Sequence, residues 1–202
     1  MSADRKRVAV LVFDQVEVLD FAGPLEVFAA AGQWLPERES FLEVFTVAER
    51  SPVQARANLK IIPNYSLEDG PLAEVLVVPG GLGARQEMNN PLLLDWLKQR
   101  AAQAELVLSV CTGALILARA GLLEGLAATT HHLALELLAE VAPRTVIKAG
   151  QRLVDNGRII TAAGVSAGID GALYALARLL GQDTARRTAE HMEYDWRPEV
   201  GV

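Results

Sequence analysis

Apolar and polar positions along this chain follow two alternating periods. Short apolar runs of strand length at residues 8–13, Leu42–Ala48 and 74–78 stand among stretches where apolar residues recur at helical spacing, residues 24–31 and Pro91–Gln103. Leu106, Val107, Leu108 and Val110 read as a strand buried on both faces. Leu115, Ile116 and Leu117 then fall in a short amphipathic helix bounded by Gly113 and Gly121. The second half adds an apolar run ending in Thr130, a helix near residues 133–141, and strand-like pieces at 152–155 and 158–161. Asn156-Gly157 between those two is a hairpin turn. A helix over Ala167–Leu180 places Ile169, Leu173, Leu176, Ala177 and Leu180 on one face and ends at Gly181, and residues 184–194 read as a last helix. Between Pro52 and Pro63 the pattern is extended, which predicts a small hairpin or an edge excursion beside the main sheet. The repeated βα order predicts an α/β fold: a three-layer α/β/α sandwich with a mostly parallel sheet.

Composition narrows the function classes. At 202 residues, with no internal linker, repeat or low-complexity stretch, the chain is expected to be one domain over residues 1–202. The net charge is −6 and the longest basic run is Arg5-Lys6-Arg7, which argues against nucleic acid as the main ligand. No apolar stretch reaches the roughly 18 residues of a membrane span, and no leader pattern precedes the first strand, so no membrane is expected as a partner and a cytoplasmic setting is. One cysteine excludes an internal disulfide and a cysteine-based zinc site and suits a reducing compartment. The Asn64-Tyr65-Ser66 sequon is then a chance match.

In such a sheet, ligands bind beyond the carboxyl ends of the strands. Cys111 stands at the sharp turn from strand to helix, where amide N–H groups face the side chain. That setting is expected to lower a thiol pKa and yield a nucleophile. A buried structural cysteine is the other reading. Asp20 precedes Phe21-Ala22-Gly23-Pro24, with Pro24 expected at the first helical position, so Asp20 suits either a catalytic carboxylate or a helix cap. Pro79-Gly80-Gly81 lets backbone amides approach a ligand or serves only as a tight turn, and matches neither a P-loop nor a GxGxxG fingerprint. Thr129-Thr130-His131-His132 follows the next short strand. Adjacent residues in extended chain face opposite ways, so only one of His131 and His132 can face Cys111. No ligand cluster of metal-site spacing is present, and neither metal nor cofactor is expected. His191-Met192-Glu193 has the His-x-Glu spacing of glutamine amidotransferase triads but continues a helical segment, and is read as coincidence.

Taken in order, LDFAGPLEVF, VVPGG, SVCTGALILARAGLLEG, ATTHH, DNGRIITAAGVSAGIDGALYALARLLG and MEYD resemble the DJ-1/PfpI superfamily. More narrowly, they resemble the branch that holds isonitrile hydratases and the ligand-sensing domains fused to AraC-type regulators. The resemblance implies a flavodoxin-like sandwich, a homodimer, a small-molecule substrate and a nucleophile elbow at Cys111. Thr112 stands where the peptidase branch carries a histidine, and the glutamate that many members set against the thiol is absent. Asp20 aligns with the aspartate that isonitrile hydratases use with their cysteine and the following threonine. The implied roles are Cys111 as nucleophile, Asp20 as proton shuttle and Thr112 as a hydroxyl or amide donor. Gly80 and Gly81 would line the anion-stabilising site, His131 the pocket wall, and Ser166 either the same pocket or an N-cap. Asp170 is expected to be structural. A regulatory binding module and a DJ-1-like redox-responsive thiol are the rival functions, and the ending WRPEVGV departs from the proline-rich tail expected of the hydratases.

Overall fold

A computed structural model of the chain describes residues 6–33 and 42–198. Residue 5 of the short basic run and residues 199–202 of the tail lie outside the described residues. The chain runs through β1 (Lys6–Leu11), α1 (Val18–Gln33), β2 (Leu42–Ala48), β3 (Val53–Gln54), β4 (Lys60–Ile61), β5 (Tyr65–Ser66) and β6 (Val75–Val78). It continues through α2 (Ala84–Glu87), α3 (Pro91–Gln103), β7 (Leu106–Val110), α4 (Gly113–Arg119), β8 (Ala127–Ala128), α5 (Leu135–Val141) and β9 (Val146–Ile147). β10 (Leu153–Asp155), β11 (Ile159–Ala162), α6 (Ala167–Leu180) and α7 (Gln182–His191) complete it.

Seven strands form one sheet in the order β10-β11-β7-β6-β1-β2-β5, parallel at every pairing except β10 with β11. Every residue of β6 and β7 is buried. The reason is that helices cover both faces: α1 and α6 pack on one, α3 and α4 on the other. Phe28, Leu108, Leu115, Ile116 and Ile160 are fully buried, each contributing about 1.5–3 kcal/mol of apolar transfer. The chain leaves β1 on one side toward β2 and later returns to its other side with β6. The carboxyl ends of β1 and β6 therefore open a crevice at a topological switch point, and β7 ends beside it.

The sandwich expected from the pattern is the sandwich observed, with β2, α3 and α6 at the expected bounds. Asn90 caps α3, accepting from Leu93 N–H, and Pro91 follows at the first position. The predicted hairpin between Pro52 and Pro63 is β3 with β4, and the Asn156-Gly157 turn joins β10 to β11. Three expectations change. The ladder of β1 ends at Leu11, although Val12 and Phe13 stay buried. The run ending in Thr130 contributes only β8, which pairs with β9 in a separate two-stranded ladder. Helix α1 begins at Val18, so Pro24 lies inside the helix and not at its first position.

Candidate active site

The site is assembled by three turns at the carboxyl ends of β1, β6 and β7. Cys111 links β7 to α4 with φ of 56°, a left-handed conformation that costs a non-glycine residue about 1–2 kcal/mol. Neighbours pin it there. Its N–H donates to the carbonyls of Ala162 (3.1 Å) and Ala163 (2.8 Å), and its own carbonyl accepts from Thr130 Oγ1 at 2.8 Å. The thiol is presented at the crevice while the residue stays only 6 % exposed.

Asp20 arrives from the first turn of α1 with no exposed surface. It is not a cap of its own helix. Its Oδ2 accepts from Gly80 N–H at 3.0 Å across the crevice, and its Oδ1 is buried with no hydrogen-bond partner among the described residues. The turn after β6 is fastened in the same way. Gly81 N–H donates to Thr112 Oγ1 (2.9 Å), and that hydroxyl donates back to the Gly81 carbonyl (3.1 Å). Gly80 is the point of convergence. A Cβ there would lie 2.5 Å from both Thr112 N and Thr112 Oγ1 and 2.9 Å from Asp20 Oδ2, so only glycine admits this approach.

This geometry corrects the anion-stabilising assignment of Gly80 and Gly81. Both amides already donate, one to Asp20 and one to Thr112, so the turn orients side chains and offers no free pair of N–H groups. The donors that do favour an anion at sulfur are the amides of Thr112 and Val165. Val165 was not legible as a site residue; its φ of 45° is a left-handed conformation for a β-branched side chain, and nothing in the residue type announces it.

Electrostatics correct a second expectation. Burial pushes the Cys111 thiol up to about 12, the charge of Asp20 pushes the same way, and the two amides only partly oppose them. Burial likewise lifts Asp20 to about 7, against the Gly80 hydrogen bond and the thiol. The resting site thus holds a protonated thiol beside a carboxyl that titrates near neutrality, and not a preformed thiolate. Protonating Asp20 removes the neighbouring charge that disfavours the thiolate, so the two groups are built to exchange one proton.

His131 packs against the loop that follows β11. A Cβ on Gly164 would lie 2.5 Å from its Cδ2, so the ring rests on that glycine, next to Val165. Its Nδ1 accepts from Leu133 N–H at 3.3 Å, which assigns the neutral ring's proton to Nε2. Burial, His132 and Arg85 hold its pKa below the usual histidine range. Asp20 and the two amides, and neither imidazole of the His131-His132 pair, are the groups that act on the thiol. Ser166 is exposed and makes no N-cap hydrogen bond; its Oγ meets Arg152 Nη2 at 3.4 Å. His191 ends α7 on the surface. Among the described residues no group of three His, Cys, Asp or Glu side chains is placed to hold a metal ion, and no helix is long and apolar enough to cross a membrane.

Residues 6–178, which include all three turns, match the DJ-1/PfpI family. The chain belongs to that family. Isonitrile hydratase of Pseudomonas putida is 38 % identical over 188 residues, covering 93 % of this chain and 78 % of that protein. The HTH-type transcriptional regulator GbdR of Pseudomonas aeruginosa (strain UCBPP-PA14) is 27 % identical over 188 residues, covering 93 % of this chain and 50 % of the regulator. The crystal structure of a THiJ/PfpI family protein from Pseudomonas syringae superposes with a TM-score of 0.85 at 32 % identity, covering 96 % of this chain and 77 % of that one. This DJ-1/PfpI chain therefore carries its cysteine, its aspartate and the Gly80-Gly81 turn in a flavodoxin-like frame, with Asp20 as the buried carboxyl on the thiol.

Proposed function

We propose that this protein hydrates an isonitrile, R–N≡C, to the N-substituted formamide, with Cys111 as nucleophile and Asp20 as proton carrier. One observation carries the reading: a buried thiol faces a buried carboxyl that titrates at about 7, so a proton can pass between them at neutral pH. The similarity to an isonitrile hydratase supports the same chemistry.

The Asp20 carboxylate takes the S–H proton as sulfur bonds to the terminal carbon of the isonitrile. It then returns that proton to the same carbon, giving the thioimidate R–N=CH–S–Cys111. Water adds to this carbon, with one water proton taken by Asp20 and one carried to nitrogen. Collapse of the adduct breaks the C–S bond, releases R–NH–CHO, and returns the Asp20 proton to sulfur. The Thr112 and Val165 amides stabilise negative charge on sulfur as it enters and leaves. Thr112 also positions the Gly80-Gly81 turn through its hydroxyl. His131 lines the pocket as a neutral ring. The proposal needs no metal or cofactor, and it includes a homodimer, a single domain over residues 1–202 and a cytoplasmic setting. Light scattering tests the dimer.

Quenched single-turnover reactions with cyclohexyl isocyanide test the covalent step. A Cys111-linked thioimidate should appear by intact mass and decay to N-cyclohexylformamide. Formamide without any adduct at Cys111, or tight binding with neither, rejects it. Binding without chemistry would support a second reading, a ligand-sensing module, which is favoured by the likeness to half of a transcriptional regulator.

A further inference from the structure

The loop between β11 and α6 does two things for Cys111. The Ala163 carbonyl accepts its N–H at 2.8 Å, and the Val165 amide faces its sulfur. Val165 is β-branched and sits at φ 45°, a conformation that persists only where the surroundings over-determine it. The restraint comes from outside the site.

Arg152, just before β10, accepts Ala163 N–H on its carbonyl at 2.9 Å. Its guanidinium donates through Nε to Asp170 Oδ2 at 2.6 Å, pairs with the same carboxylate through Nη2, and reaches Ser166 Oγ from Nη2 at 3.4 Å. Asp170 lies in the first turn of α6 with its side chain 13 % exposed. Tyr194, just past the end of α7, donates its hydroxyl to Asp170 Oδ2 at 3.1 Å. A single arginine therefore grips both ends of the loop, Ala163 by main chain and Ser166 by side chain. Its carboxylate partner anchors the helix that follows. A planar guanidinium with two nitrogens on one carboxylate fixes direction as well as distance, which a lysine would not do.

We propose that Arg152 and Asp170, steadied by Tyr194, are positioning residues for Cys111: they hold the Val165 N–H against the sulfur and thereby set how readily the thiol gives up its proton. None of the three is placed on the reacting atoms. The proposal rests on Cys111 being the nucleophile, but not on the identity of its substrate.

The test is alkylation of Cys111 by iodoacetamide, in which the S–C bond forms and iodide leaves. With one cysteine in the chain, intact mass reports this thiol alone. Rates are taken from pH 6 to 9 for the wild type, Asp170→Asn and Tyr194→Phe, each confirmed folded at the assay temperature. A donor lost from the sulfur raises the thiol pKa by about one unit, which cuts thiolate tenfold while raising its intrinsic nucleophilicity about threefold. The expected result is a rate about three- to fourfold lower for Asp170→Asn across the whole range, as a parallel displacement of the profile, with a smaller displacement for Tyr194→Phe. A loosened loop that merely widened access would speed alkylation. A rate for folded Asp170→Asn equal to or above the wild-type rate overturns the proposal. Should that variant not fold, Tyr194→Phe decides by the same criterion. Formamide assays run in parallel keep the two ideas apart, because a slowed alkylation with no isonitrile turnover in any protein would remove the proposed reaction and leave the positioning role standing.

Discussion

Replacing Asp20 with Asn keeps the side chain's shape and an acceptor for Gly80 N–H while removing a buried ionisable group. Burial lifts the carboxyl from 3.8 to about 7 in the folded protein. The folded state therefore holds a proton that the unfolded chain has released between about pH 4 and 7, and stability contributed by this group falls as pH rises through that window. Single-site linkage with these two values gives a loss of about 3 kcal/mol between pH 5 and pH 8. The other titrating groups are common to both proteins and cancel in the difference. The new amide places a donor where Oδ1 has no partner, an offset of about 1–3 kcal/mol that does not vary with pH. Urea unfolding of both proteins at pH 5, 6, 7 and 8 reads the effect. Wild-type stability minus variant stability should drop by about 3 kcal/mol over the range, most steeply between pH 5 and 7. A difference that stays constant with pH would refute the claim that Asp20 titrates near neutrality inside the fold.

Three further outcomes follow from the same geometry. If Asp20 must be a carboxylate to accept the thiol proton, kcat/KM for isonitrile hydration should rise about tenfold per pH unit below about 7 and level off above it; a rate flat from pH 5 to 8 contradicts this. Gly80→Ala drives a Cβ to 2.5 Å from the Thr112 backbone nitrogen, so it should lose about 1–3 kcal/mol of stability and most activity, measured by urea unfolding and formamide release. Thr112→Val removes both hydroxyl bonds to Gly81 at nearly constant volume and should lose about 1–3 kcal/mol with a matching fall in kcat, while Thr112→Ser retains both; equal behaviour of the two variants would show that the hydroxyl holds nothing.

Much of this was legible because local signals and burial agree. Helix α6 carries its apolar face at helical spacing and ends at Gly181, α3 starts at Asn90-Pro91, and β7 is buried throughout because helices cover both faces of the sheet. The start of α1 misled for a physical reason. Pro24 fits a first helical position by residue type, yet the helix runs through it from Val18, placing Asp20 in the first turn where it reaches Gly80 and not its own amides. Cys111, Thr112 and the Gly80-Gly81 turn were each marked by a residue type at a strand end and Asp20 by its place at a helix entry, and the fold brings all of them together. The protonation state was not legible, since a strand-to-helix turn suggests a low thiol pKa while burial against a carboxylate raises it. Nor was the restraint on Val165, because Arg152, Asp170 and Tyr194 meet only after β10, α6 and the C-terminal segment have packed.

In the proposed reaction Cys111 and Asp20 act as one proton-exchanging pair on an isonitrile. Steady-state release of N-cyclohexylformamide from cyclohexyl isocyanide, by the wild type, Cys111→Ala and Asp20→Asn at pH 7.5, tests it most directly. The expected results are turnover by the wild type, none by Cys111→Ala, and a loss of at least about a hundredfold in kcat for Asp20→Asn, with both variants folded. No turnover by folded wild type with a reduced cysteine, turnover that survives in Cys111→Ala, or a kcat for Asp20→Asn close to that of the wild type would contradict that pairing.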